Sequence, residues 1–413
     1  MLKISKAALF AAAFSLTAIP AAGLLTAGAA NAALATANTQ QGHDNASASS
    51  SAEPSSPSTE STTTTGFTSG LSIPTITAVD SSMDEAALRD ALSGGFGKHV
   101  DEIATLNATS ISIPEVTLTM TVTADGLDQP VTTTMRYTDI VLNNVKNGVA
   151  ESASVGSAES SSPTGSFKFG KMSTSTLDFG GFLALYSFVP SAGADAPMKT
   201  LYKNFSFEGG SFDSPEASCT FGKVSAEEFQ ARPLKVSFAA MMEAAQKMDA
   251  AKGSTPPAEA VATFVTFLTD VFQAFKSTPL NLDGLSCSGK GNDGKPFEFK
   301  IGGITMDGYA PGIYPAINIK DVSIGSGVDS ISVATATFKA TDLSQPIKAV
   351  QDNASNLSPD WFEKNYRKLI PAFAGFSFSG LAMDIPDSEH EGERIKANIA
   401  DFDLPLSDYL NRI

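Results

Sequence analysis

Three histidines, His43, His99 and His390, and two cysteines, Cys219 and Cys287, are the whole supply of imidazole and thiol in this 413-residue chain. That is too few for the clustered ligand sets of zinc, haem or iron–sulfur sites. A cysteine nucleophile needs a base, and no histidine lies within ninety residues of either cysteine in the sequence. A Ser-His-Asp triad would have to recruit His99 or His390, and nothing locates either beside a nucleophile. Neither a G-x-S-x-G elbow nor H-E-x-x-H occurs. The segment from Gly289 to Lys295 satisfies both G-x-G-x-x-G and G-x-x-x-x-G-K, whose backbone amides cradle phosphates. Pro296 nevertheless stands where such a loop needs Ser or Thr for magnesium, and no helix start follows to hold a phosphate. A hairpin turn is the expectation there. Asp384 to Glu393 gathers carboxylates around His390, but the spacing is not that of an EF-hand, and a solvated turn is expected. Asp401 and Asp403 alternate on one strand face, towards solvent. The expectation is therefore no catalytic residue, no metal and no cofactor.

The charge balance excludes another class. Against 44 Asp+Glu stand 28 Lys+Arg, a formal net charge of −16, so the chain lacks the clustered cations that nucleic acids require.

What positions the remaining residues begins with an address. Lys3 and Lys6 precede an apolar stretch over 7–19, and Ala30-Asn31-Ala32 is a small-x-small cleavage site. Residues 1–32 read as a bacterial signal peptide, and the chain after it contains no transmembrane helix. Residues 33–70 are rich in Ser and Thr with almost no large apolar side chain, and read as a disordered tether.

From 71 to 413 the text alternates between strand and helix. Val116, Leu118, Met120 and Val122 alternate with threonines at 117, 119, 121 and 123, a half-buried strand, and Asn147-Gly148 marks a tight turn. Compared with itself, the chain repeats. Tyr202–Asp213 aligns without gaps on Leu282–Asp293, placing Phe205 on Leu285 and Phe207 on Cys287. In the same register Phe221-Gly-Lys-Val224 falls on Ile301-Gly-Gly-Ile304, and Phe169-Gly-Lys-Met172 nearly repeats it. A further copy starts at Phe376 and Phe378. After the return strands come Leu177-Asp-Phe, Val236-Ser-Phe, Thr341-Asp-Leu and Phe402-Asp-Leu, each with a candidate helix N-cap. The clearest helix follows Thr255-Pro256, with a stripe of Phe264, Phe267, Leu268, Val271, Phe272 and Phe275 that reads as the face packed on a sheet. Another surrounds Trp361, Tyr366 and Leu369.

The fold expected is α+β: tandem antiparallel β-hairpin units forming an extended or curved sheet, with amphipathic helices between units packed on one face. The units run over about 111–195, 196–277, 278–355 and 356–413, the last read as truncated. Cys219 sits on the return strand of one unit and Cys287 on the outgoing strand of the next. A disulfide follows if units stack in chain order in an oxidising compartment; two separate buried thiols are the alternative.

Signal peptide, tandem hairpins and interleaved helices resemble the AsmA-like envelope repeat proteins of Gram-negative bacteria over 111–413, without the transmembrane anchor of that kind. The resemblance implies an envelope role, handling lipid or maintaining the outer membrane. The expected function is thus a non-catalytic periplasmic protein, either a scaffold or a binder of lipid or another envelope protein. Its apolar strand faces, carrying Phe205, Phe207, Leu285, Phe376 and Phe378, form either a core or a groove. A secreted or surface-displayed interaction module is the alternative, and a hydrolase with an unrecognised site the third reading.

Overall fold

In a computed structural model, the described residues are 66–123, 130–163, 165–189, 193–251, 256–291, 294–326, 329–387, 390 and 392–406. The segment read as a signal peptide lies outside them, as do most of the tether and residues 124–129.

Alternating apolar and Ser/Thr residues cannot satisfy a backbone alone, so each such run must pair with the next. The result is one sheet of 22 strands, every pair antiparallel, with a second, three-stranded sheet beside it. Collinear strands combine into long composite ones over 66–79, 108–123, 131–146, 149–162, 165–178, 199–213, 217–231, 275–290, 296–306, 317–326, 329–338, 375–386 and 394–405. Each pairs with its chain-order neighbour, so the large sheet is a meander without crossovers. Asn147 (φ 46°) and Gly148 (φ 72°) close one connection in the left-handed conformation that such tight hairpins need. Gly289 and Lys290 end the Leu285–Lys290 strand and Lys295 precedes the Pro296–Ile301 strand, with Gly294 N–H donating to the Gly291 carbonyl.

Helices fill the longer connections. They are α1 (Glu85–Asp90), α2 (Phe96–Ala104), α3 (Phe179–Leu185), α4 (Phe238–Ala250), α5 (Ala258–Val271), α6 (Ser344–Gln351) and α7 (Pro359–Asn365). Side-chain capping accounts for several of their starts. The Asp178 carboxylate accepts from Gly181 N–H and the Ser237 hydroxyl from Ala240 N–H, while α6 has Leu343 at its N-cap and Asp342, one residue earlier, accepts from Ser344 N–H. Three of the four recurring texts therefore open helices. The fourth does not: Asp403 pairs with Ser377 inside the Arg394–Pro405 strand, whose backbone is committed to the sheet.

Two more expectations are corrected. The strand Gly66–Ser72 pairs with residues 117–123, so the last residues of the expected tether, 66–70, belong to the sheet; its partner strand supplies the order that their composition does not. The helix expected after Thr255 begins at Ala258, with Pro257 at its N-cap and Thr255 outside the described residues. Phe267 and Val271 of that stripe pack on the core, while Leu268 and Phe272 are exposed and Phe275 is already in a strand.

α5 is tied to the sheet by an ion pair without solvent contact on its acid. The Asp270 carboxylate, 0 % exposed, takes two bonds from the Arg232 guanidinium at 2.7 and 3.2 Å and one from Lys235 N–H at 2.8 Å. Charge-assisted bonds from both sides compensate the desolvation that burial imposes. The continuous core runs from Ile73 to Ala274 beneath α1, α2 and α3. Beyond Leu282, Ile347 and Pro315 are the aliphatic or aromatic side chains among the described residues that are buried. Cover over the sheet thus thins towards the C-terminal strands.

Candidate functional site

Pairing register sorts side chains by face, because residues directly opposite in an antiparallel ladder point the same way. One row reads Phe167, Phe212, Cys219, Cys287, Phe299, Ile324, Ile331, Met383, Ala397 from strand to strand. The adjoining row on the other face reads Thr117, Arg136, Glu159, Lys168, Ser211, Thr220, Ser286, Lys300, Ser323, Ser332, Ala382, Asn398. One face is apolar and the other is hydroxyl-rich and charged across nearly the whole sheet.

The apolar face survives an irregularity that strict alternation would not. Midway along most of the composite strands, successive apolar residues are three apart rather than two, as at Ile113/Val116, Tyr137/Ile140, Phe169/Met172, Phe221/Val224, Leu282/Leu285, Ile301/Ile304, Ile319/Val322 and Ile399/Phe402. Neighbouring strands take this three-residue step at the same level, so register is conserved through it. Phe221 faces Leu285 and Ile301 faces Leu285 on one side of the step; Val224 faces Leu282 and Ile304 faces Leu282 on the other. Rings touch across it, with Phe207 centred 5.7 Å from Phe169 and 5.6 Å from Phe221, so both halves present one continuous apolar side. The step residues suit the backbone. Asp139 (φ 51°) and Asp321 (φ 52°) are among the few residue types that enter the left-handed region, and Gly380 (φ 61°) enters it freely.

All five residues expected on the apolar strand faces lie on this side. Phe205 and Phe207 are half-buried and pack against the core; Leu285 sits beside the step, opposite Phe221 and Ile301. Phe376 stands opposite Phe338 and Leu404, and Phe378 is stacked on Phe402 with centroids 5.0 Å apart. They share a face without forming one cluster: the strand over 375–386 lies several strands away from the other two. Ile324, Phe338, Phe402 and Leu404, which alternation alone did not single out, continue the face with Ile395 and Ile399, and all six are 38–46 % exposed. The three-residue step was the readable signal for the first four.

At the covered end, this face and the helices line a half-open apolar cavity of ≈ 140 Å³, with residues including Ile76, Leu88, Ile111, Ile140, Leu177, Tyr202 and Phe205. Burial there pushes the Tyr202 phenol up to about 12.

Cys219 and Cys287 face each other on adjacent strands with Cα atoms 4.0 Å apart and sulfurs at disulfide-bonding distance. The histidines face carboxylates. His99 on α2 contacts Glu102 at 2.5 Å and Asp90 at 3.1 Å, and those bonds, Glu102's first, hold its pKa above the ordinary histidine value. His390 contacts Asp387 at 3.1 Å, and with Glu393 these side chains converge in the turn before the Arg394–Pro405 strand. The cavity lining holds Ser154, Ser173 and Thr174 but no histidine. Asp401 and Asp403 pair with Ser379 and Ser377 on the polar face.

No family model matches the chain, and no curated protein or solved structure matches it either.

Proposed function

We propose that this is an exported, non-catalytic envelope protein that holds a lipid acyl chain or a comparable long apolar ligand along the apolar side of its sheet. In this reading successive hairpins act as tandem units, each adding two strands that carry the step, so the units together build a trough. One observation carries the proposal: the apolar rows continue past Leu282 through Phe299, Ile324, Ile331 and Met383 while buried hydrophobic side chains all but cease. Extended exposed apolar surface on a soluble chain marks a binding face, because its hydration is unfavourable. The Ser/Thr-rich opposite face supplies the side turned to water. No helix among the described residues is long and apolar enough to cross a membrane. The signal-peptide reading of residues 1–32 supports export, with the periplasm as destination.

The test is purification without detergent, organic extraction, and mass spectrometry for lipid. The stripped chain is then titrated with a fluorescent long-chain fatty acid. Ile331→Glu, on the apolar side, is expected to weaken binding about tenfold, the equivalent of ~1.4 kcal/mol. Ser332→Glu, on the opposite side, is expected to leave binding unchanged. Absence of both copurified lipid and saturable probe binding overturns the proposal.

A further inference from the structure

Among the described residues, the Arg394–Pro405 strand stands at one end of the sheet. Among the described residues it pairs with the strand over 375–386 alone, and nearly all of its residues are exposed. Its second hydrogen-bonding edge is a template for another strand. The rest of the fold states what such a strand must look like. In every neighbouring pair the three-residue steps meet: Phe378 faces Phe402 on one side and Leu381 faces Ile399 on the other, as Val224 faces Leu282 and Phe221 faces Leu285. A strand that fits this edge must therefore be antiparallel, carry a step at the same level, and be apolar on the same face.

The Arg394–Pro405 strand itself meets all three conditions. Its own step, Ile399/Phe402, is symmetric about the point between Ala400 and Asp401. A two-fold axis normal to the sheet, level with that point and midway between the two strands, gives one antiparallel register. Ile399 then faces Phe402 of the second copy, Ala397 faces its Leu404, and Asn398 faces its Asp403. Lys396 falls diagonal to Asp403 of the second copy, an attractive pair on the polar face. A one-residue slip in either direction would set apolar side chains against polar ones. We infer that this strand is a self-association edge, and that its occupant is the same strand of a second copy, in a closed two-fold dimer with the apolar side continuous across the junction. Closure leaves neither copy with a free Arg394–Pro405 edge, so the pairing stops at two.

The full chain, purified without reductant, is tested by light scattering on a sizing column across micromolar concentrations. The mass expected is about twice 42.8 kDa at the upper concentrations, falling on dilution. A monomer throughout, or an open-ended series of larger species, overturns the inference. The register is tested separately with Asn398→Cys combined with Asp403→Cys. Too far apart along one strand to join each other, these thiols are expected to form a covalent dimer under mild oxidation. Asn398→Cys with Leu404→Cys places the thiols on opposite faces and is expected not to cross-link. Equal cross-linking of the two pairs, or none from the first, refutes the register even where a dimer forms. Loss of lipid binding with an intact dimer would instead count against the ligand reading alone.

Discussion

Gly222 offers the sharpest test of the three-residue step. A Cβ built there would run into the main-chain carbonyl of Asp283, which belongs to the adjoining strand and cannot swing aside as a side chain can. Gly222 N–H also donates to the Gly284 carbonyl at 2.9 Å, while Asp283 N–H donates to the Lys223 carbonyl at 2.8 Å. These two bonds join the steps of neighbouring strands. Gly222→Ala must separate them. Overpacking of this kind costs ~1–3 kcal/mol, and losing one backbone bond adds about 1 kcal/mol, so about 2–4 kcal/mol is expected. The Cys219–Cys287 pair joins the same two strands a few residues away, which confines the separation and lets the variant fold. The comparison is Gly70→Ala, where an added Cβ meets nothing within 4 Å. There, reduced freedom of the unfolded chain leaves stability unchanged or raised by ~0.4–1 kcal/mol. Urea unfolding followed by circular dichroism gives both values, and hydrogen exchange at the 222 and 283 amides localises the loss. If the two variants unfold within about 0.5 kcal/mol of each other, below the smallest cost argued for a misplaced Cβ, the close approach at the step is not a constraint and the reasoning fails.

Three other expectations follow from the same structure. Reducing the Cys219–Cys287 bond frees a loop of 68 residues in the unfolded chain. Loop-closure entropy puts the loss at about 4 kcal/mol, and an unchanged urea midpoint with and without reductant would contradict it. Asp270→Ala leaves the Arg232 guanidinium, 12 % exposed, without its carboxylate. A drop of ~3–5 kcal/mol is expected from a buried charge stripped of its partner, whereas a drop below about 1 kcal/mol, the range of exposed pairs, would show the pair to be solvated. The Tyr202 phenol ionises near 10.0 when unfolded and about 12 when folded. Its raised folded value contributes stability that is complete below pH 10 and is lost as pH rises towards 12. Tyr202→Phe should flatten the fall in urea midpoint across that window, and identical slopes in the two proteins would argue against a buried phenol.

What sequence reading can reach in this chain stops where periodicity changes. The strands, the tight turn at Asn147-Gly148, the caps at Asp178 and Ser237 and the Cys219–Cys287 juxtaposition all rest on contacts close in sequence or on adjacent strands. The Gly-Lys text at 170–171 and 222–223 was visible as a repeat, but its meaning was not: it is the step, where the backbone lets apolar residues three apart share a face. A gap-free comparison places Phe207 on Cys287, yet the two lie on opposite sides of their steps, because 207 precedes its step and 287 follows one at 283–284. On the return strands Phe221 and Ile301 both flank a step, whereas on the outgoing strands Phe205 and Leu285 share a face but stand at different levels. Strict alternation carried through a step would turn half of each strand inside out. It keeps Asp401 and Asp403 on one polar face only because both lie on the same side of the Ile399/Phe402 step. The cavity was beyond reach for a different reason: it needs α1 and α2 laid over Ile111, Ile140 and Leu177, a placement set by tertiary packing that no local pattern encodes.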